Sequence, residues 1–145
     1  MYMENYIRVE FPAKSCNEAF ARAAAGAFAA QLDITVEELA DIKTAVSEAV
    51  TNAIIHGYAD IRGLVEMKCS ITNRTIEIII TDKGHGIKDV ALAMQPLYSG
   101  SDDEDRSGMG FTVMQSFMDT LKVDSRVGEG TTVTMTKKVG VFFED

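Results

Sequence analysis

The longest helical pattern in the chain ends in the stretch Glu48-Ala-Val-Thr-Asn52-Ala-Ile-Ile-His56-Gly57. Upstream of it, Thr35-Val-Glu-Glu38 has the form of a capping box, in which a hydroxyl and a carboxylate satisfy the free N–H groups at a helix start. Apolar residues between the two segments recur at the spacing of one helix face, and a glycine at position 57 is typical of a helix end. We therefore predict one long helix over about residues 36–56.

Three polar side chains of this helix, Glu48, Asn52 and His56, stand four residues apart. Residues at this spacing share one helix face, so the three form a stripe. The small residues Ala49 and Ala53 beside it would let a ligand approach the helix. A carboxylate can accept a proton, and an amide oxygen can bind a hard cation such as Mg²⁺. Taken alone, the stripe also fits a solvated helix face.

The patterns on either side of the helix predict a small α+β domain. Upstream, alternating Ile7, Val9 and Phe11 indicate a half-buried strand, and Ser15-Cys-Asn-Glu18 indicates a capped helix to about residue 30. Downstream come a hairpin over residues 63–71 and 75–81, an irregular segment over 88–107, a helix, and two strands joined near residues 128–130. This order predicts a two-layer α/β sandwich, a mixed and mostly antiparallel sheet with helices on one face.

Length and composition restrict the classes of function. The 145 residues fit a single domain, and 14 basic against 22 acidic side chains leave a net charge of −8. Such a surface disfavours nucleic acid and anionic membranes, although a local nest of N–H groups can still bind a nucleotide. Because the first residues are polar, we expect no signal peptide. Because no run of about 18 apolar residues occurs, we expect no membrane span. Cys16 and Cys69 lack metal-ligand spacing, so we expect reduced packing residues and a cytoplasmic location.

Two glycine motifs extend the polar stripe into a possible ligand site. Asp82-Lys-Gly84-His-Gly86 follows the most hydrophobic strand, which we expect to be central and buried. Its carboxylate could accept hydrogen bonds, and its glycines allow close backbone approach. Gly108-Met-Gly110 opens a helix, where free N–H groups and the helix dipole favour an anion. Each motif alone fits an ordinary turn, but the stripe and both motifs in this order indicate a nucleotide site.

These segments resemble the motifs of the GHKL ATPase and kinase superfamily, which includes gyrase, Hsp90, histidine kinases and MutL. Residues 48–57 are similar to its N box, and Asp82-Lys-Gly84-His-Gly86 looks like its first glycine box. Arg106-Ser-Gly108-Met-Gly110 resembles the glycine box that ends the ATP lid, and Gly128-Glu-Gly130-Thr-Thr132 resembles the last conserved turn. The minimal length and short lid are most similar to the anti-sigma factor serine kinases of spore-forming bacteria. The resemblance covers about residues 7–138 and implies the Bergerat ATP-binding fold.

The resemblance also implies a role for each matching residue. Glu48 corresponds to the carboxylate that orients or deprotonates the attacking hydroxyl, and Asn52 to the Mg²⁺ ligand. Asp82 corresponds to the acid that accepts the adenine amino group, with Thr132 assisting it. The other matches are glycines that make room for base and ribose, and lid residues that contact phosphates: Gly84, Gly86, Arg106, Ser107, Gly108, Met109 and Gly110.

The function implied by the resemblance is that of an ATP- and Mg²⁺-dependent anti-sigma factor. Such a protein would inhibit a sporulation sigma factor of RNA polymerase and work as a homodimer. It would phosphorylate a serine of an anti-anti-sigma factor, its antagonist, and thereby inactivate it. We expect Glu18 and Arg22 to contact partners, because Arg22 is the only cation on an alanine-rich helix. Two alternatives stay open: a nucleotide-gated binding module without useful kinase chemistry, and an ATPase that uses water as the acceptor.

The expected lid, about residues 88–110, contains the acidic run Asp102-Asp-Glu-Asp105. Because these charges would repel phosphates, we expect them to point to solvent. A calcium loop is the rival explanation, but the run lacks the glycine and the distant glutamate of such a loop. We expect His56 to be a structural residue at the helix end, beside the pocket, rather than a phosphoacceptor.

Overall fold

A computed structural model of the chain describes residues 4–58, 62–95 and 110–140. Within these ranges the elements alternate much as the sequence predicts, with one additional short helix in the segment expected to be irregular. In chain order they are β1 (Asn5–Pro12), α1 (Cys16–Ala29), α2 (Val36–Thr51), a π-helical turn (Asn52–Tyr58), β2 (Leu64–Thr72), β3 (Thr75–Asp82), α3 (Val90–Ala93), α4 (Gly110–Phe117), β4 (Thr120–Arg126) and β5 (Gly130–Lys138).

The five strands form one sheet in the order β1-β2-β3-β5-β4. Its four neighbouring pairs are all antiparallel, whereas the sequence predicts a mixed, mostly antiparallel sheet. The prediction that β3 is central and buried is confirmed. Asn73 and Arg74 connect β2 to β3 with φ values of 49° and 63°, the left-handed conformation that a two-residue type I′ hairpin turn requires.

One face of the sheet carries the core, and the helices cover that face. The antiparallel register aligns Cys69, Ile78 and Met135 in one row across β2, β3 and β5, and none of the three has exposed surface. Residues of the alternate set, such as Glu77 and Thr136, pair on the opposite face and stay partly exposed. The α+β class and the two-layer α/β sandwich are therefore confirmed.

Helix α2 is the central element of the helical layer, where it contacts both α1 and α4. The predicted capping box at its start is confirmed, because Thr35 and Glu38 exchange two hydrogen bonds of 3.0 Å. The helix does not continue unchanged to His56. After Thr51 it widens into the π-turn, which ends at Tyr58. Short π-helical segments recur at functional sites, and this one lies directly beneath the cleft described below.

The capping box predicted at the start of α1 is wrong. Ser15 has helical dihedral angles of −54° and −36° and makes no side-chain cap bond. The partner expected for it, Glu18, is engaged elsewhere: its carboxylate accepts hydrogen bonds from Arg22 at 2.8 Å and from the Ser47 hydroxyl at 2.6 Å. An ion pair with Arg22 within α1 and a hydrogen bond from Ser47 of α2 thus replace the local cap. Phe20, an apolar residue of α1, is 50% exposed.

The two cysteines are free thiols in different surroundings. Cys69 is a core residue, as predicted, and burial raises its pKa to about 12. Cys16 is exposed at the start of α1, so its prediction as a packing residue is wrong. Among the elements that the structure describes, no helix is long and apolar enough to cross a membrane.

Candidate functional site

A cleft of about 680 Å³ lies between α2 with its π-turn and the ends of β3 and β5. The small residues Ala49 and Ala53 line it, as expected for a helix face that a ligand approaches. Asn52 and His56 of the predicted stripe line the same cleft, whereas Glu48 is not among its lining residues. The cavity is lined mainly by apolar surface with a few polar groups, which is the usual character of a small-molecule site.

At one end of the cleft, the first residue of α4 meets the polar stripe of α2. A Cβ atom built on Gly110 would stand 3.2 Å from Asn52 Nδ2 and 3.3 Å from Glu48 Oε1. Any side chain here would therefore press on both polar groups. The start of a helix presents N–H groups that lack partners within the helix, together with the positive end of its dipole. This end combines an anion-binding helix start with a carboxylate and an amide.

At the other end, Asp82 terminates β3 and is only 6% exposed. Its carboxylate accepts hydrogen bonds from the backbone N–H of Gly84, at 2.9 Å, and from that of Thr131. Burial raises the pKa of Asp82, and these two bonds offset part of the rise. A buried acceptor of this kind, lining an apolar cleft, suits a ligand that donates a hydrogen bond.

The glycines around Asp82 are required by tight backbone packing. A Cβ on Gly57 would stand 2.7 Å from the Asp82 Cγ, and one on Gly84 would stand 1.7 Å from the Gly57 carbonyl oxygen. Gly86 has a φ of +79°, and a Cβ there would stand 2.0 Å from the Arg126 carbonyl oxygen. Of these, Gly57 and Gly86 line the cleft. These glycines therefore have a second role besides making room for a ligand. Gly57 and Gly84 let the loop after β3 pack on the π-turn, and Gly86 lets it pack on the end of β4.

The residue beside Asp82 in the cleft is Thr131, where the sequence predicts Thr132. Asp82 and Thr131 are register partners across β3 and β5, and both line the cleft. Thr132 pairs with Thr81 instead, and it is absent from the cleft lining. Side chains alternate between the faces of a strand, so a shift of one residue changes the face. The prediction of Thr132 for this cleft is thus wrong.

Tyr58 is a structural residue of the site that the sequence patterns did not single out. Its ring is 4% exposed, and its hydroxyl donates to the Leu64 carbonyl oxygen at 2.6 Å while accepting the Lys83 N–H at 2.8 Å. The Gly57 carbonyl oxygen also accepts the His85 N–H. Both contacts fasten the loop that follows Asp82 to the π-turn. No pattern signals them, because they join residues distant in sequence.

Four predicted site residues, Arg106, Ser107, Gly108 and Met109, lie outside the described residues. The same holds for the acidic run at 102–105 and for most of the expected lid. The predicted partner residues Glu18 and Arg22 are described and lie away from the cleft, half-buried rather than fully exposed. Ser47 joins them, since it donates to Glu18 and accepts from Arg22.

Comparison with known proteins assigns the family. A family model for the histidine kinase-like ATPase domain matches residues 11–137. An anti-sigma F factor of Thermoanaerobacter sp. (strain X514) is 55% identical over 140 residues, which cover 97% of this chain and 98% of that protein. The chain belongs to the anti-sigma F factor family of histidine kinase-like ATPase domains. An anti-sigma F factor of Clostridium novyi (strain NT) is also 55% identical, over 136 residues that cover 93% of this chain and 95% of that one.

Solved structures with lower identity share the fold. The RsbU and RsbW domains of a Mycobacterium tuberculosis protein match with a TM-score of 0.67 and 19% identity, over 93% of this chain and 32% of that one. A mycobacterial sensor histidine kinase matches with a TM-score of 0.56 and 20% identity, over 70% of this chain and 72% of that one. The resemblance to the GHKL superfamily and to its anti-sigma members, predicted from the motifs, is confirmed.

Proposed function

We propose that the protein is an ATP-dependent anti-sigma factor that phosphorylates a serine of its protein antagonist. The observation that carries the proposal is the close approach of Gly110, at the start of α4, to Glu48 and Asn52. This approach brings a helix start that favours an anion together with a proton acceptor and an amide oxygen at one end of the cleft. The buried carboxylate of Asp82, at the other end, suits the amino group of adenine. The different groups at the two ends of the cleft support a triphosphate beside Gly110 and a base beside Asp82.

The proposed reaction needs no covalent enzyme intermediate. The serine oxygen bonds to the γ-phosphorus, and the bond from that phosphorus to the β,γ-bridging oxygen breaks, so that ADP leaves with the electron pair. The serine proton passes to the Glu48 carboxylate. Positioning and electrostatic stabilisation supply most of the catalysis in such transfers. Gly110 and the start of α4 stabilise the phosphate charge, and Glu48 holds the hydroxyl in line.

The amide of Asn52 fits a magnesium ion that is shared with phosphates. Within the ranges that the structure describes, no three His, Cys, Asp or Glu side chains gather into a metal site. Mg²⁺ often uses only one or two protein oxygens, with substrate phosphates and waters completing its octahedron. Asn52, beside Gly110 and Glu48, can supply such an oxygen. The ion would neutralise the charge on the phosphates.

The proposed partners follow from the family. Relatives with 55% identity are named anti-sigma F factors, so we propose a sporulation sigma factor as one partner and an anti-anti-sigma factor as the phosphorylated one. We further propose a homodimer that acts in the cytoplasm. The net charge of −8 supports protein partners over nucleic acid.

Radiolabel transfer tests this function. The purified chain is incubated with Mg²⁺, γ-labelled ATP, the sigma factor and the antagonist protein. We expect label on one serine of the antagonist, and the phosphorylated antagonist should no longer displace the sigma factor. Label that stays in ATP, while nucleotide still governs capture of the sigma factor, would show a binding module instead. Label released as free phosphate without the antagonist would show an ATPase.

Replacement of Asn52 by alanine should weaken nucleotide binding only when magnesium is present. We expect the affinity for ATP in Mg²⁺ to fall about ten- to hundredfold, because a contact to charged groups is lost. With the metal chelated, Asn52→Ala and the wild type should bind ATP about equally. Calorimetric titration in Mg²⁺ and in EDTA measures both affinities, and Asn5→Ala is the control, since Asn5 bonds to Gln31 at the surface. A loss of equal size in EDTA would exclude the proposed metal contact.

Glu18 and Arg22 are proposed to contact a protein partner. Arg22 keeps a side chain 41% exposed while bonding to Glu18, so its remaining donors are available to an incoming carboxylate. We expect Arg22→Gln to weaken partner binding about five- to tenfold without affecting ATP affinity. Arg8→Gln is a matched control, because Arg8 is exposed and stands 3.9 Å from Glu66. Equal partner affinities for the two variants, in calorimetric titrations, would refute the contact.

A further inference from the structure

A lysine near the end of β5 joins helix α4 to helix α2. The side chain of Lys137 is only 13% exposed, and its ammonium group donates a hydrogen bond to the carbonyl oxygen of Phe117, the last residue of α4, at 2.7 Å. The same group stands 3.9 Å from the carboxylate of Asp41 in α2. The last carbonyl groups of a helix lack partners within the helix, and a cation there also complements the helix dipole. One ammonium group therefore ties the C-terminal end of α4 to α2.

This tie lies at the opposite end of α4 from the proposed phosphate site. Gly110 begins α4 and approaches Glu48, whereas Phe117 ends it and is linked through Lys137 to Asp41. Seven residues separate Gly110 from Phe117, and seven separate Asp41 from Glu48, so each pair spans about 10 Å along a helix axis. The two helices thus run antiparallel with matching lengths between their two meeting points.

We propose that Lys137 is a positioning residue that fixes how far α4 lies along α2 and so holds Gly110 beside Glu48. Lys137 is not among the residues that line the cleft, so it acts through α4 rather than on a ligand. Asp119, just after α4, also bonds to β5 through its N–H and its carboxylate, but these bonds do not reach α2. A displacement of about 1 Å at a reacting group can lower a rate about a hundredfold. This proposal rests on the proposed ATP site and adds a residue outside the cleft to it.

Replacement of Lys137 by methionine keeps an unbranched side chain and removes the ammonium group. We expect the affinity for ATP to fall about five- to tenfold, the value of one hydrogen bond to the phosphates. The affinity for adenosine, which has no phosphates and would bind beside Asp82, should stay unchanged. Phosphoryl transfer at saturating ATP should fall about ten- to hundredfold, because the γ-phosphate is no longer aligned with Glu48. Lys137→Arg keeps a cation that can donate to Phe117, and it should restore both quantities.

The controls separate positioning from a general structural role. Calorimetric titrations with ATP and with adenosine give the ratio of the two affinities, which a uniformly weakened fold would leave unchanged. Lys138→Met changes the next residue of β5, whose side chain is exposed, and it should keep the wild-type ratio. Asp41→Asn removes the charge on α2 with little change in size and should lower the ratio, so it carries the test even if Lys137→Met fails to fold. The double variant should lose no more than Lys137→Met, because both changes break one tie.

The outcomes distinguish this proposal from the proposed function. Wild-type protein that does not bind ATP would overturn the ATP site itself, and with it the proposal. Wild-type protein that binds ATP but transfers no phosphate would overturn only the kinase reaction, and the ratio of affinities would still test Lys137. A wild-type ratio in Lys137→Met or in Asp41→Asn, or equal losses for ATP and adenosine, would overturn the positioning role. The proposal stands if these two variants lower the ratio while Lys137→Arg and Lys138→Met keep it.

Discussion

Replacement of Glu48 by glutamine should reduce phosphoryl transfer to the antagonist about 10²- to 10⁴-fold, the usual contribution of a general base. Glutamine has nearly the same size as glutamate, so the contact with Gly110 is preserved, but its amide cannot accept the serine proton. The affinity for ATP should stay within about threefold of the wild type, because the substitution removes a proton acceptor but no group that donates a hydrogen bond to the phosphates. Single-turnover transfer measured at saturating ATP separates the two effects.

The matched control for this prediction is Glu37→Gln. Glu37 lies in the first turn of the same helix, is exposed, and stands away from the cleft. The Glu37→Gln variant should transfer phosphate at the wild-type rate. If Glu48→Gln binds ATP tightly and still transfers phosphate at the rate of Glu37→Gln, Glu48 is not the base.

Replacement of Asp82 by asparagine should lower the affinity for ATP about ten- to hundredfold, which corresponds to loss of a charged hydrogen bond. Two backbone N–H groups already point at the carboxylate. An amide has one oxygen, so its NH₂ group must face either a backbone N–H or the amino group of adenine. Purine riboside triphosphate, which lacks that amino group, should bind the variant and the wild type more nearly equally. An unchanged affinity for ATP would place the base elsewhere.

The same substitution should change the pH dependence of stability. Burial raises the pKa of Asp82 above that of the unfolded chain, so the folded chain binds more protons between the two values. The wild-type free energy of unfolding therefore falls as the pH rises through this interval. Relative to Asp82→Asn, the wild type should gain stability as the pH is lowered from 7 towards about 4, the ordinary pKa of the group. Urea unfolding at several pH values measures the difference. If the difference in unfolding free energy between the wild type and Asp82→Asn does not change with pH, the pKa of Asp82 is not raised by folding.

Much of the fold follows from the sequence because local patterns and tertiary structure agree. The alternation in β2 and β3, the Asn73-Arg74 turn and the capping box at Thr35 each specify their element locally. The start of α1 shows where such reasoning fails. Glu18 has the spacing for a cap, but Arg22 and Ser47 are stronger partners for its carboxylate. A contact with another helix overrides the local signal.

Those residues of the candidate site that belong to sequence motifs could be predicted, and the others could not. Glu48, Asn52 and Asp82 could be selected from the sequence, but the approach of Glu48 and Asn52 to Gly110 depends on how α4 packs against α2. The choice between two adjacent threonines depends on the register of β5 against β3. Thr131, opposite Asp82, lies in the cleft, and Thr132 does not. Tyr58 acts through contacts that join separate parts of the chain, so no local pattern could nominate it.

The central claim is that one end of the cleft binds the base and the other the phosphates. A crystal structure of the chain with Mg²⁺ and a non-hydrolysable ATP analogue tests it most directly. We predict the adenine amino group on the Asp82 carboxylate, with the triphosphate at Gly110 beside Glu48 and Asn52. A nucleotide bound in the opposite direction, or outside the cleft between the π-turn and β5, would contradict the account.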